Sequence, residues 1–210
     1  MPTSLEMGVP LVGSGGLALT PPAPTYVDDF TRADSATSLG SHPNGSAYVA
    51  HAGTWGIASN QAYSASDGTT DRVSCDGGRN DGTFSVDVTG GYTSATKRTP
   101  GLLFRGLDGQ NFLWLTLEPN LSLWKLDAGA AGNLRVVVAA PVDGTTYQLR
   151  AVCAGTSIEC WWGSTLGFTY TLAGGDTKFA GPTYTRVGLR LTKNGTPTLP
   201  GRADNLSIGP

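Results

Sequence analysis

The chain has 210 residues, of which 39% are hydrophobic and only 14% charged, and its formal net charge is −2. Thirty glycines, about twice the usual ~7% share, and so few charges exclude a coiled coil or helical bundle, while five tryptophans and the apolar fraction exclude a disordered chain. The near-neutral charge offers no electrostatic footprint for nucleic acid or an anionic membrane, and no run approaches the roughly 18 uninterrupted apolar residues of a membrane span.

Residues 1–25 differ from the rest. They hold five prolines, a Gly-Ser-Gly-Gly run and no basic residue, with neither helical nor strand periodicity. Gly13 to Ala18 formally fits a dinucleotide-binding fingerprint, but the Pro-rich stretch at 21–24 ends any helix that would have to follow. No Lys or Arg precedes Arg32, and Gly and Pro cut the apolar stretch, so the segment does not read as a secretory signal. Its composition fits an extended arm that docks on a partner, or a linker.

From Tyr26 onward, short alternating runs are broken by turn residues every 8 to 12 positions, as in a sandwich or barrel. Strands are predicted at 26–30, 55–58, 61–64, 72–75, 83–89, 101–105, 112–117, 121–126, 134–140, 147–153, 158–162, 168–171, 186–192 and 205–208. At most one short helix is expected, because no dozen-residue window carries a helical stripe. The domain organisation is an arm at 1–25 and one sandwich at 26–210.

Three hairpins can be registered. A type I′ turn at Asp108-Gly109 pairs Arg105 with Phe112 and Leu103 with Trp114. Leu102, Phe104, Leu113 and Leu115 then form the core face, with Arg105, Phe112 and Trp114 opposite. A type II′ turn at Gly155-Thr156 pairs Arg150 with Trp161 and turns Ala151, Cys153, Ile158 and Cys160 inward. The third hairpin leaves two registers open. A three-residue Glu118-Pro119-Asn120 loop sets Trp124 opposite Trp114, outside the core, whereas a two-residue turn buries Trp124, since a one-residue slip exchanges faces.

The three cysteines, Cys75, Cys153 and Cys160, have no zinc-type spacing. They are expected to be apolar fillers in a protein folding in a reducing cytoplasm.

Asp29-Phe30-x-Arg32-x-Asp34-Ser35-x-x-Ser38-Leu39-Gly40, followed by Gly53-Thr54-Trp55-Gly56-Ile57-x-x-Asn60-Gln61-Ala62-Tyr63, resembles the opening of concanavalin A-like lectin/glucanase (laminin G-like) jelly rolls. It is most similar to those in minor tail and other virion proteins of actinobacteriophages. Gly201-Arg202-Ala203-Asp204-Asn205-Leu206 resembles their closing strand, which lies beside the first. The resemblance implies an all-β fold: a two-sheet antiparallel jelly-roll sandwich with an extended N-terminal arm.

Chemistry is sparse. Glucanases of the resembled fold carry a clustered carboxylate run, and retaining glycosidases need two carboxyls about 5 Å apart. Here the three glutamates, Glu6, Glu118 and Glu159, are far apart, and Asp87 has no partner two or four residues away. No enzyme activity, catalytic residue, metal or cofactor is therefore expected. His42 and His51 read as solvated loop histidines. Asp28, Asp29 and Asp204 would meet if the first and last strands pair; turn capping is the expected role, calcium the alternative.

The expected function is a non-enzymatic phage virion protein, in a tail or on a capsid, displaying a lectin-like jelly roll. It would be made in the host cytoplasm, assemble as an oligomer and meet other virion proteins through residues 1–25. The alternative is a carbohydrate-binding module of a secreted actinobacterial protein, with a glycoside hydrolase third. The candidate glycan platform, for a cell-wall polysaccharide bound at near-millimolar affinity, is Arg105, Phe112, Trp114, Trp124, Arg150 and Trp161. Indoles left outside a core offer flat faces to pyranose rings, and arginines offer donors to hydroxyls.

Overall fold

The structure, a computed structural model, describes residues 25–66, 70–92, 98–194 and 200–210. The assembly arm expected at 1–25 lies outside the described residues, apart from Thr25. One sheet holds β13 (Thr165–Thr171), β12 (Ser157–Trp162), β11 (Thr146–Ala154), β6 (Gly82–Thr89), β15 (Arg202–Gly209), β4 (Gln61–Ser64) and β3 (Trp55–Ala58), in that order. Its eighth strand, β1 (Tyr26–Asp28), pairs with β15. The other sheet runs β10 (Ala130–Val137), β9 (Leu121–Asp127), β8 (Phe112–Leu117), β7 (Arg98–Gly106), β14 (Arg186–Lys193), β5 (Thr70–Asp76) and β2 (Val49–Ala52). Neighbouring strands within each sheet are antiparallel.

The sheets pack face to face as a two-sheet sandwich. Alternation on β6 turns Phe84, Val86 and Val88 inward, and β11 adds Leu149, Ala151 and Cys153. From the seven-stranded sheet Leu102, Phe104, Leu113, Leu115, Val73 and Leu189 meet them, and Phe84 stacks on Phe104 with ring centroids 6.2 Å apart. A 3₁₀ turn over Gly174–Ala180 inserts Phe179 into the core.

All fourteen predicted strands are present, with shifted ends. One strand, β2, was not foreseen: Val-Ala-His-Ala at the sheet edge carries no clean alternation. The strand expected at 134–140 starts instead at Ala130, because Ala128 and Gly129 both take positive φ (49° and 83°) and close a two-residue hairpin between β9 and β10. The β11–β12 hairpin has the predicted register, with Arg150 opposite Trp161 and Gly155 at φ 53°.

The β7–β8 hairpin departs from prediction near its tip. Leu103 faces Trp114 as expected, but the turn is not type I′. Asp108 caps it, accepting from the Gln110 N–H at 2.7 Å, and Leu107 N–H bonds the Asn111 carbonyl. The loop is thus one residue longer, and a β-bulge absorbs the difference. Phe104 and Arg105 together oppose Val187 of β14, with Arg105 in the left-handed region at φ 46°. The bulge swings the Arg105 side chain off the outer face.

All three cysteines are buried free thiols, and Cys153 and Cys160 sit diagonally across the hairpin. Burial pushes Cys75 and Cys153 up to about 12 and Cys160 upward too. The thiolate is the reactive form, so the native protein should not react with a thiol-specific chromogenic disulfide at pH 8, and all three thiols should titrate after denaturation. Reaction of the native chain within minutes would contradict this packing.

Candidate functional site

The three-residue loop is the register adopted between β8 and β9. Glu118 N–H bonds the Asn120 carbonyl at 2.9 Å, and Trp114 lies directly opposite Trp124. Their indoles are near-parallel, 10° apart with centroids separated by 5.6 Å. With Leu103, Phe112 and Leu126 they form an apolar cluster on the outer face of the seven-stranded sheet, separate from the core. Strand β8 is consequently buried at every position, on both of its faces.

Two arginines close this cluster from the other side. Alternation on β14 turns Val187, Leu189 and Leu191 inward and Arg190 outward. Arg190 faces Gly101 of β7, which has no side chain, so its guanidinium crosses that strand and lies 4.2 Å from the Trp114 ring centroid. Arg72, directly opposite Arg190 on β5, reaches to 6.0 Å from the Phe112 centroid. Burial pulls Arg190 down to about 10, with Arg72 adding to the shift, yet it remains cationic at neutral pH.

Beside the indoles lies a groove of about 240 Å³. It is lined by Trp114, Trp124 and Arg190 together with Thr116, Ser122, Glu118, Thr192 and Ala131. Arg190 Nη1 donates to Thr192 Oγ1 at 2.7 Å, and Thr116 Oγ1 donates to Glu118 Oε1 at 3.2 Å. The groove therefore combines a flat indole wall with hydroxyls, one carboxylate and one guanidinium. That arrangement can stack a sugar ring and hydrogen-bond its hydroxyls.

The six predicted site residues do not form one platform. Trp124 is half-buried and presents its ring to the groove. Trp114 is 2% exposed, held between Trp124 and Arg190, so it supports the site rather than offering a face. Phe112 is fully buried beneath Arg72. Arg105 belongs elsewhere: its side chain donates to the Asn80 and Gly155 carbonyls at 2.9 and 2.6 Å and to Asp81 at 2.7 Å. Arg150 and Trp161 stack at 4.4 Å, but on the outer face of the opposite sheet, where Trp161 Nε1 also donates to Glu159. Sequence reasoning missed Arg72 and Arg190. The alternation of β14 places Arg190 outward, but its proximity to β8 depends on non-local pairing.

Asp28 is turned inward and saturated. It accepts from Arg32 at 2.8 and 3.0 Å, from the Tyr48 hydroxyl at 2.9 Å and from the Phe30 N–H at 2.9 Å. The motif arginine Arg32 is thus held in a structural ion pair by Asp28, the residue just before the motif, rather than by the motif's own Asp29. Asp29 caps Thr31, and Asp204, opposite Asp87, caps Asn205. Among the described residues no cluster of three or more His, Cys, Asp or Glu is placed to hold a metal ion.

The histidines are not solvated. His42 is 1% exposed, between the edges of Tyr26 and Tyr48, and burial lowers its pKa. His51 is half-buried against Ser74 Oγ at 2.8 Å, which also accepts from Arg186 Nε. Both were misread because non-local packing covers them: Tyr26 and Tyr48 flank His42, and His51 lies on strand β2 against Ser74 and the Gly109 turn.

No family model matches the chain, and no curated protein matches it. Solved structures do. The carbohydrate-binding module CBM66 from Bacillus subtilis superposes with a TM-score of 0.59 at 16% identity, covering 77% of this chain and 95% of that one. A structure described under endo-acting O-glycanases that members of the human gut microbiota express to initiate mucin breakdown gives 0.56 at 10% identity, covering 88% and 98%. The CBM2 module of the evolved Dit of Lactobacillus casei BL23 phage J-1 gives 0.53 at 12% identity, covering 88% and 96%. The chain is a jelly-roll β-sandwich. At these identities the likeness speaks for the fold alone.

Proposed function

We propose that this protein is a non-catalytic carbohydrate-binding module that holds a glycan in the groove beside Trp124. The observation that carries the reading is the half-buried Trp124 ring forming one wall of a groove that hydroxyls, Glu118 and Arg190 also line. Aromatic faces match the apolar faces of pyranose rings, and a small number of placed polar groups supplies orientation. Glu118 is the single carboxylate lining the groove, whereas retaining hydrolysis needs two about 5 Å apart. Superposition on the carbohydrate-binding module CBM66 supports the same reading.

The test is a titration of actinobacterial cell-wall polysaccharide followed by tryptophan fluorescence. Trp124→Ala should lose roughly tenfold or more in affinity, ~1.4 kcal/mol or above, while Trp161→Ala on the opposite sheet binds as the parent does. Loss on Trp161→Ala with Trp124→Ala unaffected would move the site to the other sheet. Absence of quenching by any wall or storage polysaccharide would sink the reading.

Placement of this module in a phage virion is the second reading. The specific observation in its favour is the fold shared with a module of a phage Dit, alongside the resemblance of the opening motif. The fold likeness supports carbohydrate binding more directly than it supports assembly. Particles made with residues 26–210 alone test the arm: normal incorporation would reduce residues 1–25 to a linker.

A further inference from the structure

Arg190 lines the groove, and its cross-strand neighbour Arg72 stands outside that lining over Phe112, an arrangement a neutral sugar does not explain. Arg72 and Arg190 stand directly opposite each other on adjacent strands, both on the outer face. Like charges so placed destabilise a sheet. Neither forms an ion pair within 4.0 Å among the described residues, and Arg72 Nε is buried without a hydrogen-bond partner. Both are instead held by ring faces, Arg190 on Trp114 at 4.2 Å and Arg72 on Phe112 at 6.0 Å. Cation–π contact of this kind is attractive, and more so when desolvated. It fixes where the two guanidinium groups sit; Arg190 spends one N–H on Thr192 Oγ1, and neither group has a carboxylate partner within 4.0 Å among the described residues.

The other charges on this face do not neutralise them. Arg186 is engaged with Ser74 and directly faces Asp76 across the β5–β14 pair, and the Asp76 carboxylate offsets its charge. His51 is driven toward its neutral form, first by burial and then by Arg186 and Arg72. Asp108 is occupied in capping its own loop. Glu118 lies in the groove and offsets one positive charge. The surroundings of Trp124 therefore carry a cationic excess on the side of β14 and β5.

We infer that the glycan held beside Trp124 is anionic, its carboxylate or phosphate engaged by the paired Arg190 and Arg72 guanidinium groups. Planar guanidinium forks match both oxyanions bidentately, and an anion between the two arginines would remove their mutual repulsion while the sugar ring stacks on Trp124. The inference rests on the carbohydrate-binding reading above and narrows its substrate class.

Calorimetric titrations of the full chain with polygalacturonate, carboxyl-reduced polygalacturonate and poly(glycerol phosphate), at low and moderate salt, test it. At least one anionic polymer should bind roughly tenfold tighter than the reduced, neutral polymer, ~1.4 kcal/mol, and that preference should shrink with added salt. Which anionic polymer binds identifies carboxylate or phosphate as the source. Arg72→Gln, at a partly exposed position, should bring the ratio of anionic to neutral affinity toward one; Arg190→Gln should do the same if it folds. Equal binding of neutral and anionic polymers would overturn the anionic assignment and leave carbohydrate binding standing. Failure of all three polymers and of wall polysaccharide would remove both.

Discussion

Replacing Arg105 by Ala should destabilise the sandwich by about 3 kcal/mol, a fall in melting temperature of roughly 6–12 °C for a domain of this size. The side chain is fully buried and is the common donor for three acceptors: the Asn80 carbonyl, the Asp81 carboxylate and the Gly155 carbonyl. Asp81 Oδ2 in turn accepts the Gly155 N–H at 3.1 Å, so the β11–β12 turn is bracketed from both sides. Asp81 is 52% exposed, and its share of the ion pair is small for that reason. The larger cost is two carbonyls that lose a charged donor, each worth about 1.5–3 kcal/mol when charge-assisted. Arg105→Lys keeps the charge but not the fork, and should recover only part of the loss. Urea unfolding measures the global effect, and hydrogen exchange at residues 80–81 and 155–156 the local one. A change below about 1 kcal/mol would mean that backbone pairing alone holds the bulge.

Asp28→Ala should cost about as much, roughly 3–5 kcal/mol, because it strands a cation and two further donors around a buried position. Asp28 is 1% exposed and meets Arg32, the Tyr48 hydroxyl and the Phe30 N–H at once. Phe30, at φ 50°, ends β1 here, and the interaction fastens the first strand beside the closing strand β15. Arg32 is 30% exposed and can regain water, so the lower half of that range is expected. Asp28→Asn, which keeps an acceptor for Phe30 but no charge for Arg32, should fall between. The groove beside Trp124 is on the other sheet, so Asp28→Asn should leave the glycan binding proposed there unchanged below its unfolding transition. Parent-like melting of Asp28→Ala would show that the Asp28–Arg32 pair contributes little to the fold.

Much of the fold was legible. Short alternating runs between turn residues locate fourteen of the fifteen strands, because side-chain alternation is a local property of an extended chain. The β11–β12 hairpin was registered to the residue, since Gly155 meets the turn's demand for positive φ and the inward Ala151, Cys153, Ile158 and Cys160 form one consistent face. The β7–β8 hairpin was registered correctly only as far as Phe104. Asp108-Gly109 satisfies a two-residue turn on paper, but Asp108 does better capping a longer loop, and the surplus residue became the bulge at Arg105.

The site was legible in part. The sequence by itself determined that Trp114 lies outside the core, because Leu113 and Leu115 occupy the other face of β8 and a strand has only two faces. It also determined the absence of a clustered carboxylate run and the inward place of the cysteines. It left the register of Trp124 open, because Pro119-Asn120 and Glu118-Pro119-Asn120 are both acceptable turns. Only the tertiary structure decided that choice. It also separated Trp161 from Trp114 by placing them on opposite sheets, and it brought Arg190 and Arg72 over the aromatic row. The physical reason is the range of the interactions. Turn and alternation signals act over a few residues, whereas β14 and β5 meet β7 and β8 through pairings far apart in the chain, which follow from burying two whole sheets against each other.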